Sequence, residues 1–261
     1  MCAFKLSNHS IVAVHGINGE PFTTWTDAGG SGNLWLRDFL PKAIPSSRIF
    51  TFGYTADFFS RSDMNILDCA RSLLAGLDSQ RTDGDELRPL VFIGHSLGGL
   101  VIKAALLEAK EKENPTWDAV RHGGVMFMGV PHDGAKLASF ASSVSMIANI
   151  YSSTNTKMLK QLKSDSRDLW ELSRRFGNIQ KYLRLVSVLE AERTVSGSGR
   201  GSIKVVHDDS ARLNLGEDEY KIDGSDHSTV CKFGDANNPE YIKVQNSLKK
   251  LTQPTQPVSR T

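Results

Sequence analysis

The sequence predicts a three-layer α/β fold, in which a mostly parallel sheet of about six or seven strands is covered by helices on both faces. Short runs of β-branched and apolar residues alternate with segments of helical periodicity along the chain. The runs are apolar at nearly every position, as is typical of strands in the middle of a parallel sheet, because both of their faces are covered. At 261 residues, the chain is long enough to bury one full core of this kind.

The predicted strands are compact apolar runs. They cover residues 11–14, 48–52, 90–93, 124–128, 182–189 and, more briefly, 202–207. Helices are predicted at residues 62–79, 98–111 and 238–251. One face of the first helix carries Met64, Leu67, Ala70, Leu73 and Leu74. The second helix is rich in Leu, Ala and Lys, which favour helices. The alternation therefore indicates parallel strands joined by helical crossovers.

Two segments fall outside this alternation. Residues 135–180 lie between the fourth and fifth predicted strands and contain helical patterns without a strand, which predicts a helical insertion and a candidate lid. One stripe of this insertion consists of Phe140, Val144, Ile147 and Tyr151. The stripe would line a substrate pocket, although a helix packed into the core explains it equally well. Residues 252–261 are polar and interrupted by proline, so a tail or linker is expected after a domain of residues 1–251.

A candidate nucleophile lies between the third predicted strand and the second predicted helix. The run Gly94-His95-Ser96-Leu97-Gly98 fits the pattern G-x-S-x-G. In this context a sharp strand-to-helix turn presents the serine, and small neighbours let the strand and the helix approach each other. The following helix also directs backbone N–H groups at developing negative charge. A glycine-rich turn with an idle serine is the alternative, but strand, helix and motif together favour Ser96 as a nucleophile.

Two backbone N–H groups are expected to form an oxyanion hole beside Ser96. One belongs to the residue after the nucleophile, Leu97. The other is expected in the loop after an early strand, where Ile17 follows His15 and Gly16. We expect His15 to be a structural hydrogen-bonding group near the pocket rather than a catalyst.

His227 is the predicted catalytic base. Serine hydrolases with this turn carry their residues in the order serine, acid, histidine, so the base should follow Ser96 along the chain. His122 precedes a predicted strand and therefore lies at the wrong end of the sheet. His227 lies in the loop before the last helix, where a base can reach the serine. His132 and His207 stay open as alternatives.

Glu190 is the predicted acid, because it ends the fifth predicted strand. An acid in this position would orient the imidazole and stabilise its charged form. The alternatives are Glu192, Asp208 and Asp209. Asp226 is less favoured, since adjacent residues such as Asp226 and His227 seldom face each other well enough to bond.

These motifs resemble the serine esterase and lipase-like domains of the α/β-hydrolase superfamily, especially those found alone or at the N-terminus of fungal NACHT or NB-ARC proteins. The resemblance covers residues 10–250. It is carried by VHGINGEPFTTWT, LWLRDFLP, RIFTFGY, RPLVFIGHSLGGLVIKAAL, GVPHDG and DHSTVCKF.

The resemblance implies an α/β-hydrolase fold and assigns the site residues. Ser96, Glu190 and His227 match the family's triad, and Ile17 and Leu97 match its oxyanion positions. Two departures concern flanking residues. The acid lies in Leu-Glu-Ala rather than in an aromatic-Glu-Thr run, and Asp133 follows His132 where a basic residue is usual.

Composition and charge narrow the function classes. Net charge is +2 with the two signs interspersed, which gives no electrostatic reason to expect nucleic acid. No apolar stretch is long enough to span a membrane, and the three cysteines have no metal or redox spacing. We therefore expect a cytoplasmic protein without a cofactor or metal, with no integral membrane segment.

The predicted function is hydrolysis of a small-molecule ester or lipid-like substrate. The pocket is expected to involve His15, His95, His132, Phe140, Val144 and Ile147. Two alternatives stay open. One is an effector or signalling module with fused or associated receptor domains, and the other is an acyltransferase or cyclase on the same scaffold.

Overall fold

A computed structural model describes residues 9–17, 19–54, 65–81, 88–133, 166–195, 202–213 and 218–253. Its strands are β1 (His9–Val14), β2 (Ser47–Phe52), β3 (Leu90–His95), β4 (Gly124–Met128), β5 (Leu185–Glu190), β6 (Thr194–Val195), β7 (Ser202–Ile203) and β8 (Glu219–Ile222). Its α-helices are α1 (Trp35–Asp38), α2 (Leu40–Ala43), α3 (Ile66–Gln80), α4 (Leu97–Glu111), α5 (Thr116–His122), α6 (Ser166–Ile179), α7 (Asp208–Ala211) and α8 (Pro239–Thr252).

Six strands form one parallel sheet in the order β2-β1-β3-β4-β5-β8. The predicted α/β architecture is therefore confirmed. From β1 the chain passes to β2 on one side, and β3 then pairs with the other side of β1. This reversal leaves a crevice at the carboxyl ends of β1 and β3, which is where open α/β sheets bind ligands.

Alternate residues of the central strands face two separate cores, because successive side chains of a strand point to opposite faces. On β1, Val12 and Val14 face the helices α3 to α6. Ile11 and Ala13 face α1, α2 and α8. The three layers therefore follow from strands that are apolar on both faces.

The three predicted helices are confirmed with shifted ends. The helix predicted at residues 62–79 begins at Ile66, because the Asn65 side chain accepts hydrogen bonds from the N–H groups of Leu67 and Asp68. Met64 lies outside the described residues. The last helix, α8, begins after Asn238, whose side chain caps it in the same way.

The predicted sixth strand is wrong in its position. Of residues 202–207, only Ser202–Ile203 form a strand, and they pair with β6 in a separate two-stranded sheet. Val205 and Val206 are apolar and buried, as strand residues would be, but their N–H groups donate to the Glu190 side chain instead of to a neighbouring strand. The sixth strand of the sheet is β8, whose EYKI sequence is too polar to stand out, since an edge strand keeps one side in water.

The predicted insertion is described only in part. Helix α6 lies within it and packs against the core beside α4 through Leu169, Phe176 and Ile179. Residues 134–165 lie outside the described residues, and Phe140, Val144, Ile147 and Tyr151 are among them.

Helix α8 continues to Thr252, one residue beyond the predicted domain end. Within the described ranges, no helix is long and apolar enough to cross a membrane.

The N-terminus of α4 crosses the end of β1 so closely that only glycine fits at position 98. A Cβ atom on Gly98 would lie 2.3 Å from the carbonyl oxygen of Val14 and 2.4 Å from that of His15. We expect Gly98→Ala to lower the free energy of unfolding by at least about 2 kcal/mol, because backbone must move. The urea midpoint at an unchanged m-value measures this change.

Gly76→Ala is the matched control, because Gly76 is exposed in α3 and a Cβ there meets nothing within 4 Å. It should raise the free energy of unfolding by about 0.5–1 kcal/mol through helix propensity. Equal effects of the two substitutions would contradict the close approach of α4 to β1.

Candidate active site

Ser96 occupies a strained turn between β3 and α4. Its φ is 52° and its ψ is −124°, a conformation that residues other than glycine rarely adopt. The turn is held on both sides, because the Ser96 N–H donates to the carbonyl of Met128 (3.0 Å) and the Ser96 carbonyl accepts from the N–H of Gly99 (3.0 Å). The side chain is thereby fixed at the carboxyl edge of the sheet, as the sequence predicts.

A continuous chain of hydrogen bonds joins Ser96, His227 and Glu190. The Ser96 hydroxyl lies 2.9 Å from Nε2 of His227, and Nδ1 of His227 lies 2.8 Å from Oε2 of Glu190. All three side chains are buried. With the proton on Nδ1, the imidazole donates to Glu190 and accepts from the serine, which is the arrangement a general base requires.

The backbone after β7 holds the Glu190 carboxylate in this position. Its Oε1 atom accepts hydrogen bonds from the N–H groups of Val205 and Val206, both at 3.1 Å. Lys204 donates to the backbone carbonyls of Glu190 (2.7 Å) and Ala191 (3.0 Å). One carboxylate oxygen is thus fully engaged by backbone donors, and the other is free to orient His227.

The alternative acids have other surroundings. Asp208 forms ion pairs with Lys204 and Lys221, and Glu192 is exposed. Asp209 lies in α7 beside Asp208. Asp226 accepts hydrogen bonds from the N–H groups of two residues that follow His227, and so shapes the turn that carries the base.

The alternative histidines do not reach the serine. His207 is exposed at the start of α7. The His132 ring is partly buried and packs edge-on against Phe127, with centroids 4.9 Å apart. Burial first, and then the charge of Lys103, holds the pKa of His132 well below its ordinary value. In the described part of the chain, no group of three His, Cys, Asp or Glu side chains is arranged to hold a metal ion.

Lys103 anchors the loop after β4 from inside the core. Its Nζ atom donates to the carbonyl of Pro131 (3.1 Å) and lies over the rings of Phe127 and Phe176. Burial lowers the pKa of this lysine to about 7. Lys103 thus holds the loop after β4, which passes close to His227.

His95 supports the loop that carries the base. Its Nε2 atom lies 2.9 Å from the carbonyl oxygen of His227, to which it can donate, and the two rings are 5.2 Å apart. Thr194 holds the same residue from the other side, because its hydroxyl oxygen accepts from the His227 N–H (3.2 Å). Sequence reasoning placed His95 in the substrate pocket and overlooked Thr194, whose neighbourhood to His227 arises only from the fold.

Of the two predicted oxyanion donors, Leu97 directly follows Ser96, and Ile17 directly follows Gly16, which packs on Ser96. Leu97 begins α4, so its N–H belongs to the positive end of that helix. Ile17 follows Gly16, which packs on the nucleophile so closely that a Cβ on Gly16 would lie 2.8 Å from Cβ of Ser96. His15 is fully buried and contacts Tyr54, a residue that sequence analysis missed although it lies only two residues after the end of β2.

Comparison with known proteins gives relatives for most of the chain. No protein-family model matches it. It is 28% identical to Protein SERAC1 of Mus musculus over 245 residues, which are 85% of this chain and 36% of that protein. Protein SERAC1 of Homo sapiens is 28% identical over 243 residues, with the same shares. The chain therefore spans about a third of the length of these relatives.

Solved structures share the fold. Phospholipase PlaB from Legionella pneumophila, in complex with thio-NAD, is similar with a TM-score of 0.50 and 14% identity, over 76% of this chain and 44% of that one. The chain has the α/β-hydrolase fold, as the sequence predicts. The resemblance to domains of fungal NACHT or NB-ARC proteins stays a prediction, since these relatives are SERAC1 proteins of animals.

A buried, neutral histidine near the candidate site, His95, should make the free energy of unfolding depend on pH. Burial first, and then the charge of His227, lowers the pKa of His95 to about 3, whereas the pKa of an unfolded histidine is about 6.5. Between these values the unfolded chain binds more protons. The contribution of His95 to stability is therefore fully present above about pH 6.5 and declines as the pH falls towards 3.

We expect His95→Gln to flatten the pH dependence of the free energy of unfolding by up to about 1.4 kcal/mol per pH unit between about pH 6 and pH 4. Urea unfolding across this range measures the slope. His207→Gln, at an exposed histidine, controls for the substitution itself. An unchanged slope in His95→Gln would contradict a neutral, buried His95.

Proposed function

We propose that this protein is a serine hydrolase that cleaves carboxylic esters through an acyl-enzyme. The observation that carries the proposal is the buried hydrogen-bond chain from Glu190 through His227 to Ser96. A serine hydroxyl is a weak nucleophile at its ordinary pKa and needs an adjacent base to act. Here the serine has such a base within hydrogen-bond distance, and a carboxylate orients that base.

The proposed mechanism follows from these contacts. His227 Nε2 accepts the hydroxyl proton while Ser96 Oγ attacks the acyl carbon, and the N–H groups of Leu97 and Ile17 bind the oxyanion. The protonated imidazole is stabilised by Glu190 and then gives its proton to the leaving alcohol. Water enters, loses a proton to His227 and attacks the acyl-enzyme. The resulting second tetrahedral intermediate collapses as His227 gives this proton to Ser96 Oγ, which releases the acid and restores the serine hydroxyl.

We propose esters with an apolar acyl group as the substrate class. Support comes from the sequence pattern of Phe140, Val144 and Ile147, whose place in the structure lies outside the described residues. The name of the Legionella pneumophila protein, a phospholipase, makes lipid esters a natural extension of the test. A series of p-nitrophenyl esters with increasing acyl length would rank these substrates.

Ser96→Ala should abolish turnover of such esters, with a loss of at least about 10⁴-fold in kcat, since it removes the nucleophile. Labelling by a fluorophosphonate probe should disappear at the same time. Ser79→Ala, at an exposed serine of α3, is the control and should keep both activities. Labelling or hydrolysis that persists in Ser96→Ala would overturn the proposal.

Glu190→Gln should lower kcat by about 10²–10⁴-fold, because the amide can no longer hold the imidazole in the required tautomer and stabilise its charge. Glu192→Gln is the matched control two residues further along the chain, where the side chain is exposed, and should retain wild-type kcat. Steady-state kinetics on one ester compare the two variants. The opposite ranking would assign the acid to Glu192.

A further inference from the structure

We infer that His15 is a positioning residue, which directs the N–H of Ile17 at the oxyanion by fixing the peptide group between Gly16 and Ile17. The inference rests on the proposed function, since it concerns the same site. It gives a role to a buried polar residue that the triad does not use, and it explains why that residue lies next to the glycine that packs on Ser96.

The two contacts of the His15 ring assign its proton. Nδ1 lies 2.9 Å from the carbonyl oxygen of Gly16, which can only accept. Nε2 lies 3.2 Å from the backbone nitrogen of Tyr54, which can only donate. The proton therefore sits on Nδ1, and the ring links the end of β2 to the loop after β1.

The ring is held in this orientation by its surroundings. It is fully buried and stacks on Tyr54, with centroids 4.4 Å apart and planes 10° apart. The Tyr54 hydroxyl also donates to the backbone carbonyl of His15 (2.9 Å). Burial lowers the pKa of His15. The ring thus stays neutral, and Nε2 keeps the lone pair that accepts from Tyr54.

Fixing the Gly16 carbonyl also fixes the next N–H, because the two groups belong to one planar trans peptide and point in opposite directions. The Gly16 carbonyl accepts from the Nδ1–H of His15 and also from the N–H of Gly19 (3.1 Å). The N–H of Ile17 must therefore point away from both of these donors. We infer that it points to the side of the loop where Gly16 packs on Ser96.

The loop needs such a restraint because its sequence supplies none. Close packing on Ser96 requires glycine at position 16, and glycine adopts backbone conformations that other residues avoid. A flip of the Gly16–Ile17 peptide would turn the N–H away from the oxyanion and present a carbonyl instead. The bond from His15 opposes this flip.

The first test does not depend on activity. Ring ¹⁵N shifts of histidine report which nitrogen carries the proton, and comparison of wild type with His15→Asn identifies the His15 signals. We expect the Nδ1–H tautomer, which persists through neutral pH. An Nε2–H tautomer or a protonated ring at neutral pH would overturn the inference.

The second test separates positioning from folding. In His15→Leu the ring nitrogens are lost, and we expect kcat on a p-nitrophenyl ester to fall by about 10- to 100-fold, since one of two oxyanion donors is misdirected. KM should stay within about twofold of wild type. Affinity for a trifluoromethyl ketone, which mimics the oxyanion, should fall by the same factor as kcat/KM.

His15→Asn is the rescue variant, because its amide nitrogen can take the place of Nδ1 and donate to Gly16, so part of the lost kcat should return. His9→Leu is the matched control, at a buried histidine at the opposite end of β1, and should keep wild-type kcat.

Wild-type kcat and inhibitor affinity in folded His15→Leu would overturn the inference. If His15→Leu fails to fold, His15→Asn and the tautomer decide the question. Absence of Ser96-dependent turnover in wild type would instead refute the proposed function, and the tautomer result would stand on its own.

Discussion

The close crossing of α4 over the end of β1 is the constraint on which the site depends. The carbonyl groups of Val14 and His15 lie so near α4 that Gly98, the second residue of the helix, has no room for a side chain. The same crossing brings the loop after β1 against the nucleophile. Ser96 and Leu97 follow β3, and the loop with Ile17 follows β1, so the pairing of these two parallel strands brings them to one point.

The remaining groups reach this point from the other half of the sheet. Glu190 ends β5, and His227 follows the edge strand β8, so the loop with His227 must cross the ends of β5 and β4 to meet Ser96. These side chains are buried, and a buried polar group without a hydrogen-bond partner lowers the stability of the fold. The backbone donors to Glu190 and the contacts of His95 satisfy these groups and hold them in place.

Sequence reasoning works best where chemistry or packing restricts the residue to a few types. The turn at Ser96 needs small neighbours, and the order of serine, acid and histidine along the chain leaves few choices for the base and acid. It fails where a residue acts through its backbone. Val205 and Val206 look like a strand because they are apolar, yet their N–H groups bind Glu190. Tyr54 supports His15 partly through its own N–H, which any residue except proline carries.

The small hairpin of β6 and β7 lies beside two of the residues in the hydrogen-bond chain to Ser96. Thr194, in β6, accepts a hydrogen bond from the backbone of His227, and Val205 and Val206, shortly after β7, donate to the Glu190 carboxylate. The hairpin and the residues after it thus contact two members of the same hydrogen-bond chain, His227 and Glu190. A displacement of the hairpin would weaken the contacts of both residues. A substitution that shifts this hairpin would therefore disturb the contacts of His227 and of Glu190 together.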